Sequence, residues 1–214
     1  MRIAFLHTAD VHVQTFDDIM SDLDPSIALT HVVRPDLLDR ARTEGIDAVT
    51  AETTTLLTDL ADADAVMCTC STLGPLADDV QKTLGHVLRI DRPVMEEAVR
   101  HGPTVLIAIC LESTKDASVA LFNDCAKNIV EPHVLVISQA WPHFERDDQT
   151  AFAHTIAEAV VAEQERLPKL DAIVLAQASM RVAEAALTDV GVPVLSSPRP
   201  AALRAIDVAS AAQS

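Results

Sequence analysis

The chain has 214 residues, 49% of them hydrophobic and 22% charged, and a formal net charge of −16. That apolar content excludes wholesale disorder and is enough for one large domain or two small lobes. The charge argues against nucleic acid or an anionic membrane surface as partner, and no apolar run reaches the roughly 18 residues of a membrane span.

The opening segment, "MRIAFLHTADVH", lacks the long apolar region and small-residue cleavage site of a secretory signal. It reads as a first strand, "RIAFLH", in a cytoplasmic protein. "IALTHVV" reads as the next strand, "RPDLLDRARTEG" as a helix, and "DAVMCTC" as a third strand. A helix over Pro75–Leu84 and the strand "HVLRID" close the first half. The second half has the same rhythm in "TVLIAICL", "EPHVLVIS", "DAIVLAQ" and "VPVLSS". Between its strands, "DQTAFAHTIAEAVVAEQERL" carries apolar residues at helical spacing, and "AALRAIDVASAA" predicts a final helix. Apolar β-branched runs alternating with amphipathic helices predict an α/β protein with mainly parallel sheets.

The halves look like copies. "DAVMCTCSTL" aligns without gaps on "DAIVLAQASM", with Asp64 against Asp171 and Thr72 against Ser179. "IAFLH" matches "VLIAI", and "VLRID" matches "PVLSS". Four strands recurring in one order predict two pseudosymmetric lobes, each a four-stranded sheet flanked by helices. The expected boundaries are 1–97 for lobe one, 98–200 for lobe two, and 201–214 for a C-terminal helix and tail. Ligands of open parallel sheets bind outside the carboxyl ends of the strands, so the expected site is the crevice between lobes.

Of the four cysteines, the alignment sets Cys68 opposite Leu175, an interior strand position, and Cys70 opposite Gln177, at the strand's end. Size and the absent signal favour reduced thiols, and the Cys68/Cys70 pair has no zinc-finger partner. Cys70 precedes Ser71, Thr72, Gly74 and Pro75, a turn leading into a helix. Free N–H groups and the helix's positive end are expected to lower its pKa. His7 and Thr8 end the first strand. His7 and His12 lack a third metal ligand, so no metal is expected. There is no G-x-G-x-x-G or P-loop, so no nucleotide cofactor is expected either. Arg92 and Arg199, after the fourth strand of each half, are candidates for a distal carboxylate. Trp141 reads either as a cleft wall or as cover for a core edge.

These motifs resemble the aspartate/glutamate racemase superfamily, which includes glutamate, aspartate and hydantoin racemases, maleate isomerase and arylmalonate decarboxylase. "CST" at Cys70–Thr72 is similar to the family's first-lobe Cys-Asn-Thr motif. "AQASM" at Ala176–Met180 stands where the second-lobe cysteine motif belongs. "ICLEST" at Ile109–Thr114 resembles the Ala-Thr-x-x-Ser-Thr pattern. The resemblance implies two α/β lobes, no cofactor, and chemistry at the carbon beside a carboxylate of a small acid. It implies Cys70 as the catalytic thiol, with His7, Thr8, Ser71, Thr72, Ser113, Thr114, Gln177 and Ser179 binding the substrate.

One departure matters. Family racemases use two cysteines, one on each face of the substrate carbon, and here the second is Gln177. An amide cannot exchange protons near neutral pH. Two readings stay open: a single-cysteine enzyme catalysing proton transfer, isomerisation or decarboxylation, and a degenerate carboxylate-binding protein. The expected partner is a small carboxylate, and association into a homo-oligomer stays open.

Overall fold

The computed structural model describes residues 1–127, 132–167 and 169–212. The expected start of the sixth strand at Glu131 and the tail at 213–214 lie outside them. The chain forms two compact units, Met1–Asp91 with the segment from Pro198 onward, and Arg92–Ser197.

The first unit runs β1 (Arg2–His7), α1 (Val11–Leu23), β2 (Ala28–Val33), α2 (Pro35–Glu44), α3 (Asp47–Asp59), β3 (Ala65–Cys68), α4 (Gly74–Leu84) and β4 (Val87–Arg89). A single 3-10 turn, Ser71–Leu73, joins β3 to α4. The sheet order is β2-β1-β3-β4 and every pairing is parallel. The second unit runs α5 (Arg92–His101), β5 (Val105–Ile109), α6 (Lys115–Cys125), β6 (His133–Val136), α7 (Trp141–Glu145), α8 (Gln149–Arg166), β7 (Ala172–Leu175) and β8 (Val194–Ser196). Its order, β6-β5-β7-β8, repeats the first. The last helix, α9 (Pro198–Ala211), packs on β1, β3 and α1 of the first unit, whereas α5 packs on β7 and α6 of the second. Each unit thus takes the helix that follows the other unit's last strand.

The central strands are continuous apolar runs because helices cover both faces of a parallel sheet. β3, β5 and β7 are buried at every residue. In the second unit the pleat sorts them by alternation. Leu106, Ala108, Ile173 and Leu175 face Phe152, Ile156 and Val160 of α8. Val105, Ile107, Ile109 and Val174 face Val94, Met95 and Ala98 of α5 and Leu121 and Phe122 of α6. β2, at an edge, keeps partly exposed Thr30 and His31. Helix ends follow local chemistry: Pro35 opens α2, and the Asp148 carboxylate accepts the Ala151 N–H at 3.0 Å to cap α8.

The repeat holds in register. Ile3 pairs with Ala65 as Val105 pairs with Ala172. One correspondence needs correction by a residue. Val66 pairs with Val87 and Ile173 with Val194, so "VLRID" corresponds to the stretch from Val194, not from Pro193. Both last strands have only three residues, and the strand begins after the proline, which has no N–H to place in a ladder.

Candidate functional site

The carboxyl ends of β1 and β3 lie side by side in the first unit, since Leu6 pairs with Cys68. The chain leaves β3 through Thr69 and Cys70. Cys70 keeps an extended backbone, with φ −111° and ψ 115°, and then the chain turns into Ser71–Leu73. Cys68, the last residue of β3, is fully buried, with Sγ 3.8 Å from the Cys70 carbonyl oxygen. Burial, with Cys70 nearby, pushes the Cys68 thiol up to about 12.

Four donors surround the Cys70 sulfur: the hydroxyls of Thr8 and Thr72, the Thr72 N–H, and the Leu73 N–H, which also donates to the Cys70 carbonyl oxygen at 3.1 Å. Each favours the thiolate. Burial opposes them and prevails, so the Cys70 pKa lies above the ordinary thiol value. This corrects the lowered pKa expected from the helix start. Cys70 and its two threonines are almost closed from solvent, and desolvation of the charged form outweighs the donors.

His7 is fully buried beneath this turn. Its Nδ1 lies 2.8 Å from Thr69 Oγ1 and its Nε2 2.8 Å from His31 Nδ1. The Thr69 hydroxyl gives its one hydrogen to the Leu6 carbonyl at 3.2 Å. Both ring nitrogens are engaged within the protein. Burial, with His12 and His31 close by, lowers the His7 pKa to about 3, and burial lowers that of His12 to about 4. Both rings stay neutral. Among the described residues no three His, Cys, Asp or Glu side chains stand together as metal ligands.

A buried ion-pair network that sequence reading missed lies behind the turn. Arg89 grips Asp91 at 2.6 and 2.9 Å and Asp78 at 2.6 Å. Burial works against its charge, but Asp91 and Asp78 outweigh it and raise its pKa. Its guanidinium lies against Gly74, the first residue of α4. A Cβ there would stand 2.6 Å from the Arg89 side chain, so glycine permits the approach. Asp91 lies two residues on, a spacing that points both side chains to one face of a strand end.

The carboxyl ends of β5 and β7 hold the second set. Gln177 takes Cys70's place before a 3-10 segment, Ala178–Ala186, with nearly the same backbone, φ −119° and ψ 138°. Its Oε1 accepts the N–H groups of Cys110 and, at 3.2 Å, Leu111. Cys110 is buried, which pushes its thiol up to about 12. Ser179 and Thr114 are buried close to the strand ends, and Ser113 is exposed. The first unit thus brings His7, Thr8, Cys70, Ser71 and Thr72 to one pair of strand ends. The second brings Ser113, Thr114, Gln177 and Ser179 to the equivalent pair.

The arginines named as carboxylate binders are held by carboxylates of their own unit. Arg92 pairs with Asp124 and Arg199 with Asp22, each at 2.8 Å. Trp141 packs with Phe144 against the α8 side of the second core, and its indole N–H donates to Glu145 at 2.6 Å. No helix among the described residues is long and apolar enough to cross a membrane.

No protein-family model matches the chain. No curated protein matches it in sequence. Solved structures do match. Glutamate racemase isoform RacE1 from Bacillus anthracis superposes with a TM-score of 0.76 at 13% identity, over 98% of this chain and 81% of that one. Aspartate racemase from Picrophilus torridus gives 0.68 at 14%, over 98% and 94%. A glycine-to-cysteine mutant of arylmalonate decarboxylase in its sulfate ion associated form gives 0.63 at 18%, over 98% and 94%. Over nearly its whole length, this chain has the two-lobed α/β fold of those racemases and that decarboxylase.

Proposed function

We propose that the chain is a cofactor-independent enzyme of the aspartate/glutamate racemase superfamily. It acts at the carbon beside a carboxylate of a small acid, with Cys70 as its one working thiol. The observation that carries this reading is the convergence of four donors on the Cys70 sulfur at a strand end. Removing a proton or a carboxylate from such a carbon leaves an enolate-like carbanion. The donors stabilise the thiolate, and burial makes that thiolate a stronger base than an exposed one. At the first unit's strand ends the hydroxyls of Thr8, Ser71 and Thr72 are assigned to stabilising the developing charge, and at the second unit's the hydroxyls of Ser113, Thr114 and Ser179, with the Gln177 amide, are assigned to binding a carboxylate. His7, with both ring nitrogens engaged, supports the turn that carries Cys70.

A second reading, a small-carboxylate-binding protein that has lost catalysis, is favoured by Gln177, whose amide cannot pass a proton. One experiment separates the two. Wild type and Cys70→Ala are incubated in deuterated water with aspartate, glutamate, hydantoins and substituted malonates. Deuterium uptake and carbon dioxide release are then followed. Turnover by the wild type that falls by about a thousandfold or more in Cys70→Ala supports the enzyme. Binding without turnover supports the second reading.

A further inference from the structure

The orientation of the Gln177 amide is decided by its neighbours. Cys110 and Leu111 both present backbone N–H groups, which only donate, and both meet one oxygen. The oxygen must face them, so the NH2 group points away with two hydrogens to give. Among the described residues the protein supplies no acceptor for that NH2. Since the two backbone donors belong to the end of β5, they hold the amide in this sense, and the group carries no titratable proton.

We infer that Gln177 is a specificity-determining donor. Its fixed NH2 selects a ligand that presents an acceptor oxygen at the end of β7, a second carboxylate or a carbonyl, and rejects one that presents an ammonium there. An ammonium is itself only a donor, and against the NH2 hydrogens it gains no hydrogen bond. It would leave both groups desolvated and unpaired, the arrangement a polar site discriminates against most strongly. The ligand class at the end of β7 is therefore a small acid with a second oxygen function, not a free α-amino acid. This rests on the reading of the strand ends as a carboxylate site.

Malonate and glycine test it, being of similar size and differing by a carboxylate against an ammonium. Each is titrated into the 15N-labelled wild type, with the Gln177 side-chain NH2 resonance identified by its loss in Gln177→Glu. That variant keeps an oxygen for the two N–H groups and turns the outward donor into an acceptor. The expected result is that malonate shifts the NH2 resonance and binds about tenfold or more tighter than glycine. Gln177→Glu should weaken malonate by about tenfold or more and erase the preference. Malonate binding with the NH2 resonance unmoved, or glycine bound as tightly as malonate by the wild type, overturns the inference and leaves the carboxylate site standing. Failure of the wild type to bind either probe, or any acid of the exchange panel, overturns both. The wild-type titrations decide the matter if the variant does not fold.

Discussion

The ends of β3 and β7 share a backbone and differ in chemistry. Cys70 and Gln177 each follow a buried four-residue strand, each with extended dihedrals, and each precedes a 3-10 turn. Their neighbours on the adjacent strand also correspond, Thr8 in the first unit and Cys110 in the second, by the matching registers Leu6 with Cys68 and Ala108 with Leu175. In the first unit the Thr8 side chain donates to the thiol. In the second the Cys110 main chain donates to the amide oxygen. The thiol end gathers donors on an atom that can carry charge. The amide end spends its acceptor on the main chain and keeps only donors to offer. A duplicated backbone thus presents one group able to exchange a proton and one able only to direct a ligand.

The largest effect expected from disturbing this contrast lies behind the first turn. Arg89→Ala would strand Asp91, fully buried, without its partner. The expected loss of stability is about 3–5 kcal/mol, read by urea unfolding. A loss under about 1 kcal/mol would show that water reaches Asp91 and that the network does not hold the turn.

Acid should separate the units next. His7 and His12 are buried and neutral in the first unit, while His101, His133 and His154 of the second are exposed. The folded pKa values, about 3 and about 4, lie below the ordinary 6.5. Below 6.5 the unfolded chain therefore binds protons that the folded chain does not. Stability should fall with pH from that point until about 4 for His12 and about 3 for His7, by about 1.4 kcal/mol per unit for each ring. Amide exchange at about pH 7 and about pH 5 should show the first unit opening before the second. Equal loss of protection in both would break the contrast.

Smaller effects sharpen it. Gln177→Ala removes the acceptor from two buried N–H groups and should cost about 1–2 kcal/mol in urea unfolding. Cys70→Ala removes a weaker acceptor and should cost less than about 1 kcal/mol while folding normally. The reverse order would mean that the thiol, not the amide, is the structural member of the pair.

The sheets were readable because buried parallel strands are unbroken apolar runs, and the copy relation was readable because "DAVMCTCSTL" and "DAIVLAQASM" align without a gap. The same alignment separated Cys68, opposite Leu175 inside the strand, from Cys70, opposite Gln177 beyond its end. The partners of the site side chains were less accessible. Arg89 sits in a short edge strand, where an arginine ordinarily reads as solvent-facing, and Asp78 reaches it only once α4 has packed. The Gln177 clamp uses backbone N–H groups from a distant strand, which leave no residue signature. His7 looks the same in sequence whether it meets a ligand or a threonine hydroxyl. The thiol's pKa depended on how far the turn is closed from water, a quantity that no motif carries.

Stereochemistry of proton exchange tests most directly whether one thiol does the work. Compounds with an exchangeable hydrogen beside a carbonyl or carboxylate and no free ammonium, 5-substituted hydantoins and 2-methylsuccinate, are followed as single enantiomers in deuterated water, with wild type and Cys70→Ala. The expected result is deuterium uptake mainly with retained configuration, lost in Cys70→Ala. Fast racemisation by the wild type, with uptake on both faces and persisting when Cys70 is alanine, would contradict it.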